Sequence, residues 1–377
     1  MKRLAAVASA ALMLAAGQAT AQDRGMATWV QPAVAPSKPQ SDAEKELGKT
    51  QGRALPPAET LQPSLDPALP KFTPSKTRMK GHYKAAASDV LPGLVKAWIA
   101  AYRKYQPDVV IDAPAPYAGS LGAKELVKQN LDFVFVSREL KPDDITDFQA
   151  KFGYPPLSVP VSGGSYRHYG FLDAVGFIVN KDNPIDQLSF EQLDAILSTT
   201  HHRGGQPITT WGQLGLKGDW ADKPIHVHAI RPWNGFEEFI RQRVLSTRGH
   251  RGEWRKDLDW AEVVFPIAGA VANDRYALGY TGLAYVDAPV KVVALQAMAG
   301  GPAIPATYEA VATAEYPLSR LIFFNVNKAP GKPLPPAVAD FLRFVLSREG
   351  QAVVREQGMY LPLRAQQVQQ ARALLQP

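Results

Sequence analysis

The sequence predicts an α/β protein of two lobes, and three observations bear on that architecture. Beyond about residue 80, apolar runs of strand length alternate with helical patterns across polar turns, the order that crossover units impose. The ordered stretch is roughly 300 residues, more than one hydrophobic core organises, so two lobes are expected. The chain contains no cysteine, so neither a disulfide framework nor a thiolate metal site supplements packing.

In chain order, Lys2 and Arg3 precede the apolar run LAAVASAALMLAA and the small-residue site Ala19-Thr20-Ala21. That pattern predicts a secretory signal peptide over residues 1–21. Its apolar run is too short and too Ala-rich for a good span, and nothing else approaches the roughly 20 apolar residues a bilayer needs. The expectation is a soluble exported chain, and without a cysteine at the cleavage site it is a free periplasmic or secreted protein. Residues 22–79 carry prolines at 32, 36, 39, 56, 57, 63, 67, 70 and 74. Such a segment buries too little apolar surface to offset its ordering entropy and reads as a disordered polyproline arm.

PGLVKAWIAAYRKY at 92–105 sets Leu94, Val95, Trp98, Ala101 and Tyr102 on one helical face. DVVIDAP (108–114) reads as a strand, AGSLGAKELVKQ opens a helix, and LDFVFVS (131–137) is a second strand. Pro142 with Asp143 and Asp144 marks another helix start. AVGFIVN (174–180), SFEQLDAIL (189–197) and PIHVHAIR (224–231) read as strand, helix and strand, followed by a helix after Gly235. VKVVAL, LIFFNVN and one helical stretch, PPAVADFLRFVLSREGQAVVREQ, complete the pattern.

Formal charge is +7, and loss of Lys2 and Arg3 leaves +5 on the mature side chains. This modest excess favours anionic partners weakly, and no dense Lys/Arg block with interleaved aromatics points to nucleic acid. Four strand-to-helix corners carry anion donors. They are Ser88 and Asp89 before the helix at Pro92; Ser120 in Gly119-Ser120-Leu121-Gly122; Ser137 and Arg138; and Arg231 with Asn234 and Gly235. Helix starts present unpaired N–H groups and the positive dipole end, which suits an anion. Each corner alone has a stability explanation. Ser88, Ser120 and Asn234 are cap residues, Arg138 can pair with a nearby carboxylate, and Arg231 can stack beneath Trp233. Their joint place at strand ends, together with guanidinium forks, argues for a ligand.

Other chemistry is weaker. His226 and His228 share a strand face but show no further ligands nearby, so no metal is assigned. Ser162-Gly163-Gly164-Ser165 lacks nucleophile-elbow spacing, and no nucleophile with partners is evident. No enzymatic activity and no cofactor are expected.

The order of these motifs over about Gly81 to Leu363 resembles the substrate-binding proteins of phosphate ABC importers, a branch of the periplasmic binding protein superfamily. Ala87-Ser88-Asp89-Val90 with Leu94 and Trp98 looks like the family's first anion-binding turn, Gly119-Ser120 like its second, and DFVFVSREL like its strand ending in Ser-Arg. GFIVNKDNPIDQLSFEQLDAIL, Trp211, the turn from Arg231 to Phe236, ALGYTGLAYV, YPLSRLIFFNVNK and VLSREGQAVVREQGMYLPL are similar as well.

The resemblance implies a two-lobed, type II periplasmic binding protein fold, each lobe a mixed sheet flanked by helices, with a ligand cleft between lobes. Lobe one would take residues 80–172 and 285–365, lobe two 173–284, and 366–377 would be a tail. It further implies a monomer that binds inorganic phosphate or a related oxyanion through Ser88, Asp89, Ser120, Ser137, Arg138, Arg231, Asn234 and Gly235 and delivers it to an ABC permease. Two departures bear on this. The family's Ser-Gly-Thr turn is Asn234-Gly235-Phe236, and Arg138 stands where several phosphate binders have an acceptor aspartate. A cation in that place should weaken discrimination against sulfate. The alternative is an exported interaction protein on the same fold with a degenerate anion site.

Overall fold

The computed structural model describes residues 64–376 except 89, 114–115, 118–120, 168–171, 233–234 and 248–249. The expected signal peptide and most of the proline-rich arm lie outside the described residues. In chain order the elements are β1 (Gly81–Ser88), α1 (Pro92–Arg103), β2 (Val109–Asp112), β3 (Pro116–Tyr117), α2 (Leu121–Val127), β4 (Phe133–Val136), α3 (Pro142–Phe152) and β5 (Leu157–Gly163). There follow β6 (Val175–Asn180), β7 (Gln187–Ser189), α4 (Phe190–Leu197), β8 (His226–Ile230), α5 (Gly235–Ile240), β9 (Asp259–Ala261), α6 (Ile267–Asn273) and β10 (Ala277–Gly282). The chain closes with β11 (Val290–Val292), β12 (Ala294–Gln296), α7 (Tyr308–Ala312), β13 (Leu321–Val326), α8 (Pro336–Val345), α9 (Arg348–Gln357) and α10 (Ala365–Ala373).

Two compact units result. The larger comprises the described residues up to Gly176, then Thr281–Ala288, then the chain from Ile304; the smaller comprises Phe177–Tyr280 and Pro289–Ala303. The expected lobe boundary at 285 is thereby corrected. Pro289–Ala303 stays with the smaller unit because β11 pairs antiparallel with β6 and β12 pairs with β7.

In the larger unit the sheet runs β2-β1-β4-β13-β5, with β3 also on β1. β1 is parallel to β2, β3 and β4, while β13 is antiparallel to both β4 and β5. β1 is covered on both faces. Ala85 and Ala87 belong to one cluster with Trp98 and Phe135, and Ala86 belongs to another with Ala123 and Leu126 of α2. The apolar stripe of α1 seats Trp98 and Tyr102 fully in the core, and their polar tips are satisfied. Trp98 Nε1 donates to the Gly350 carbonyl at 2.8 Å and Tyr102 donates to Asp340 at 2.9 Å.

Two expectations fail at the ends of this unit. Composition predicts a disordered arm through residue 79, yet Leu69 is buried at 4 % exposure and Leu65, Phe72 and Met79 pack on the same core. Arg348 N donates to the Pro70 carbonyl at 2.8 Å, and Phe72 N donates to Glu349 Oε2 at 2.6 Å. The tail over 366–377 is instead mostly α10, which buries Val368 and Ala371. The single C-terminal helical stretch also divides into α8 and α9, with Ser347 capping α9 by accepting from Gly350 N at 3.2 Å.

The smaller unit carries a sheet in the order β11-β6-β10-β8-β9, with β8 parallel to both β10 and β9. Every residue of β6 and β10 is buried, as expected for strands covered on both faces. Trp211 is fully buried and donates Nε1 to the Tyr276 carbonyl at 3.0 Å.

Candidate functional site

Parallel pairing of β1 with β4, with Ala87 opposite Phe135, brings the carboxyl ends of the two strands side by side. Ser88 closes β1 and Ser137 follows β4; both are buried, and Ser137 N–H donates to Ser88 Oγ at 3.3 Å. The chain turns directly after β1, where Leu91 N donates to the Ser88 carbonyl at 2.8 Å. With an acceptor position of Ser88 Oγ taken by an amide, its O–H remains a donor. Asp89 and Ser120, expected beside it, lie outside the described residues.

Arg138 has the carboxylate partner that its sequence context allows. Its guanidinium donates to the Glu139 carbonyl at 2.7 Å and pairs with Asp144 at 3.2 Å. Asp144 in turn accepts from Lys141 N at 3.0 Å, satisfying a backbone N–H at the start of α3. The cationic character expected of this corner is therefore offset by a buried carboxylate six residues on.

The fourth corner is built in the smaller unit. Arg231 follows β8, and its N–H donates to the Ala261 carbonyl at 2.8 Å, continuing the pairing of β8 with β9. Its side chain is 52 % exposed and pairs with the exposed Glu262 at 2.9 Å. Gly235 opens α5, and Asn234 and Trp233 lie outside the described residues.

Beneath α5 lies a charge network that sequence reasoning missed. Glu237 is buried, pairs with Arg241 at 2.6 Å and accepts from Trp254 Nε1 at 2.5 Å. Burial pushes its carboxyl above the ordinary range, with Arg241 opposing. Arg241 also reaches Glu253 at 3.3 Å, and Arg251 pairs with Glu238 at 3.4 Å. The available signal was the Glu237/Arg241 spacing of one helical turn, which looks like an ordinary surface pair.

His226 Nδ1 contacts Asp274 at 2.7 Å, and His228 lies 3.8 Å from Asp259. Among the described residues no group of three or more His, Cys, Asp or Glu side chains is arranged to hold a metal ion.

Comparison with known proteins places this architecture. The family described as "PBP superfamily domain" matches residues 73–349. The phosphate-binding protein PstS of Pseudomonas aeruginosa is 34 % identical over 310 residues, which cover 82 % of this chain and 91 % of that protein. Protein SphX of Synechococcus elongatus is 25 % identical over 65 % of this chain and 66 % of its own length. The crystal structure of PstS from Borrelia burgdorferi aligns with a TM-score of 0.53 at 18 % identity, covering 76 % of this chain and all of that one (100 %), which shows the shared fold. The fold and these matches define a periplasmic binding protein. Within that superfamily, the chain belongs to the PstS family of phosphate-binding proteins.

Proposed function

We propose that this protein is the substrate-binding component of an ABC importer, which takes up inorganic phosphate and delivers it to a membrane permease. The observation that carries the reading is the continuous match to the Pseudomonas aeruginosa phosphate-binding protein over 82 % of this chain and 91 % of that one. The buried Ser88–Ser137 pair supports it, since adjacent strand ends there present donors of the kind an oxyanion needs. In this reading the ligand is held by Ser88, Asp89, Ser120, Ser137, Arg138, Arg231, Asn234 and Gly235. The protein works as a periplasmic monomer and as a binding protein rather than an enzyme.

Titration calorimetry of the mature chain with phosphate, sulfate and arsenate tests this. Phosphate is expected to bind, and Arg231→Ala to weaken binding by at least about 2 kcal/mol, the scale of a desolvated charge-assisted contact. The same substitution should leave stability nearly unchanged, because the exposed Arg231–Glu262 pair contributes at most about 1 kcal/mol. Absence of both heat and thermal stabilisation with every oxyanion would overturn the proposal.

A further inference from the structure

The chain leaves the larger unit after Gly176 and returns to it at Thr281. Just inside these two points the segments are bonded to each other. Leu283 N–H donates to the Ala174 carbonyl at 2.8 Å and Ala284 N–H donates to Asp173 Oδ2 at 3.1 Å. Arg167 Nε donates to the Leu283 carbonyl at 3.1 Å. One carboxylate thus holds the backbone of the returning segment against the outgoing one.

Asp173 is fully buried, at 0 % exposure, and its second oxygen, Oδ1, has no hydrogen-bond partner among the described residues. Ser165, whose backbone bridges to Asp173, and Ser319 bury hydroxyls that also lack partners among the described residues. A carboxylate with one dry edge is costly to keep ionised. Burial accordingly pushes the Asp173 carboxyl up to about 7, against the opposing influence of Ala284 N–H and Arg320. Among the described residues, polar groups around this place include the Arg167 guanidinium and two phenols. Tyr166 donates to the Ala306 carbonyl at 3.1 Å and Tyr316 to the Val175 carbonyl at 2.9 Å, and burial holds the Tyr316 phenol protonated.

We propose that Asp173 is a proton-operated latch on this crossover: its protonated carboxyl keeps the returning segment docked, and ionisation lets the two segments part more readily. The direction follows from linkage. The docked state holds the proton more tightly than an opened, hydrated state does, so loss of the proton favours opening. In the protonated form the carbonyl oxygen keeps the Ala284 bond, and the dry Oδ1 edge carries no charge. The latch stands on the crossover geometry and does not depend on which anion the protein binds.

Hydrogen exchange of the peptide spanning Ala284, measured on the mature chain from pH 5.5 to 8.5 and corrected for intrinsic exchange, reads the latch directly. Opening is expected to rise on the order of tenfold or more across that range in the wild type. Asp173→Asn, which keeps the acceptor and removes the charge, should abolish the dependence. A flat wild-type profile, or an unchanged dependence in Asp173→Asn, overturns the proposal. Should the variant fold poorly, carbon-detected titration of the wild-type carboxyls decides. A buried aspartate titrating near neutrality supports the latch, and titration of every aspartate below pH 5 refutes it.

Discussion

The segment at 64–79 should behave as part of the fold, and its contribution can be worked from its contacts. Leu69 is almost wholly buried, in a cluster with α1 and α8 residues. Truncating a buried leucine to alanine costs about 2–5 kcal/mol. The lower half of that range fits a residue held by a segment at the edge of the core. Phe72 is half-buried and meets Tyr102, Tyr105 and Phe344 edge-on, with ring centroids at 6.4, 5.1 and 5.3 Å. Such pairs contribute about 0.5–1.5 kcal/mol each beyond area burial, and they share one ring, so Phe72→Ala should cost roughly 2 kcal/mol. Urea unfolding of the mature chain measures both, with Lys71→Ala as the exposed control, which should stay within about 0.5 kcal/mol of wild type. Unfolding midpoints for Leu69→Ala and Phe72→Ala that match the control would refute the docking of this segment.

Three further outcomes are expected. Glu237→Ala removes the partner of buried Arg241 and the acceptor for Trp254 Nε1. The loss should be about 3 kcal/mol, the low end for breaking a buried pair, since Arg241 keeps Glu253; a double-mutant cycle with Arg241→Met in urea checks it. Gly350→Ala would place a Cβ 2.2 Å from the Phe344 carbonyl oxygen and 2.5 Å from that of Val345. Both obstacles are backbone, so thermal unfolding should show a loss of about 2–3 kcal/mol. Asp173 binds a proton more tightly folded than unfolded, so its contribution to stability falls as pH rises from its ordinary 3.8 through about 7. Asp173→Asn should therefore raise the urea midpoint more at pH 8 than at pH 5.

What could be read from the sequence depended on whether a residue's reason lay in its own neighbourhood. FVFV of β4 is an apolar run bounded by polar residues, so both the strand and the position of Ser137 at its end were legible. Its neighbour β1, GHYKAAAS, is legible only through the corner it leads into at Ser88 and not from its own run, because Ala85, Ala86 and Ala87 have little β-propensity. Their suitability is tertiary: they sit with helices against both faces, in two separate clusters. The strap before β1 was hidden for the opposite reason. Its composition is that of an unstructured chain, yet Leu65, Leu69 and Phe72 are enough to anchor it once the α8 and α9 surfaces exist to receive them. Gly122 shows how the two kinds of reason overlap. In the sequence it belongs to a glycine-freed turn that offers N–H groups to an anion, whereas in the fold a Cβ there would lie 2.7 Å from Val134 Cγ2. The missing side chain lets α2 seat closely on β4, so packing alone requires this glycine. The inference to a ligand at that corner must then rest on Ser120 and on the Ser88–Ser137 contact between strand ends, because a glycine placed for close packing would be there with or without an anion.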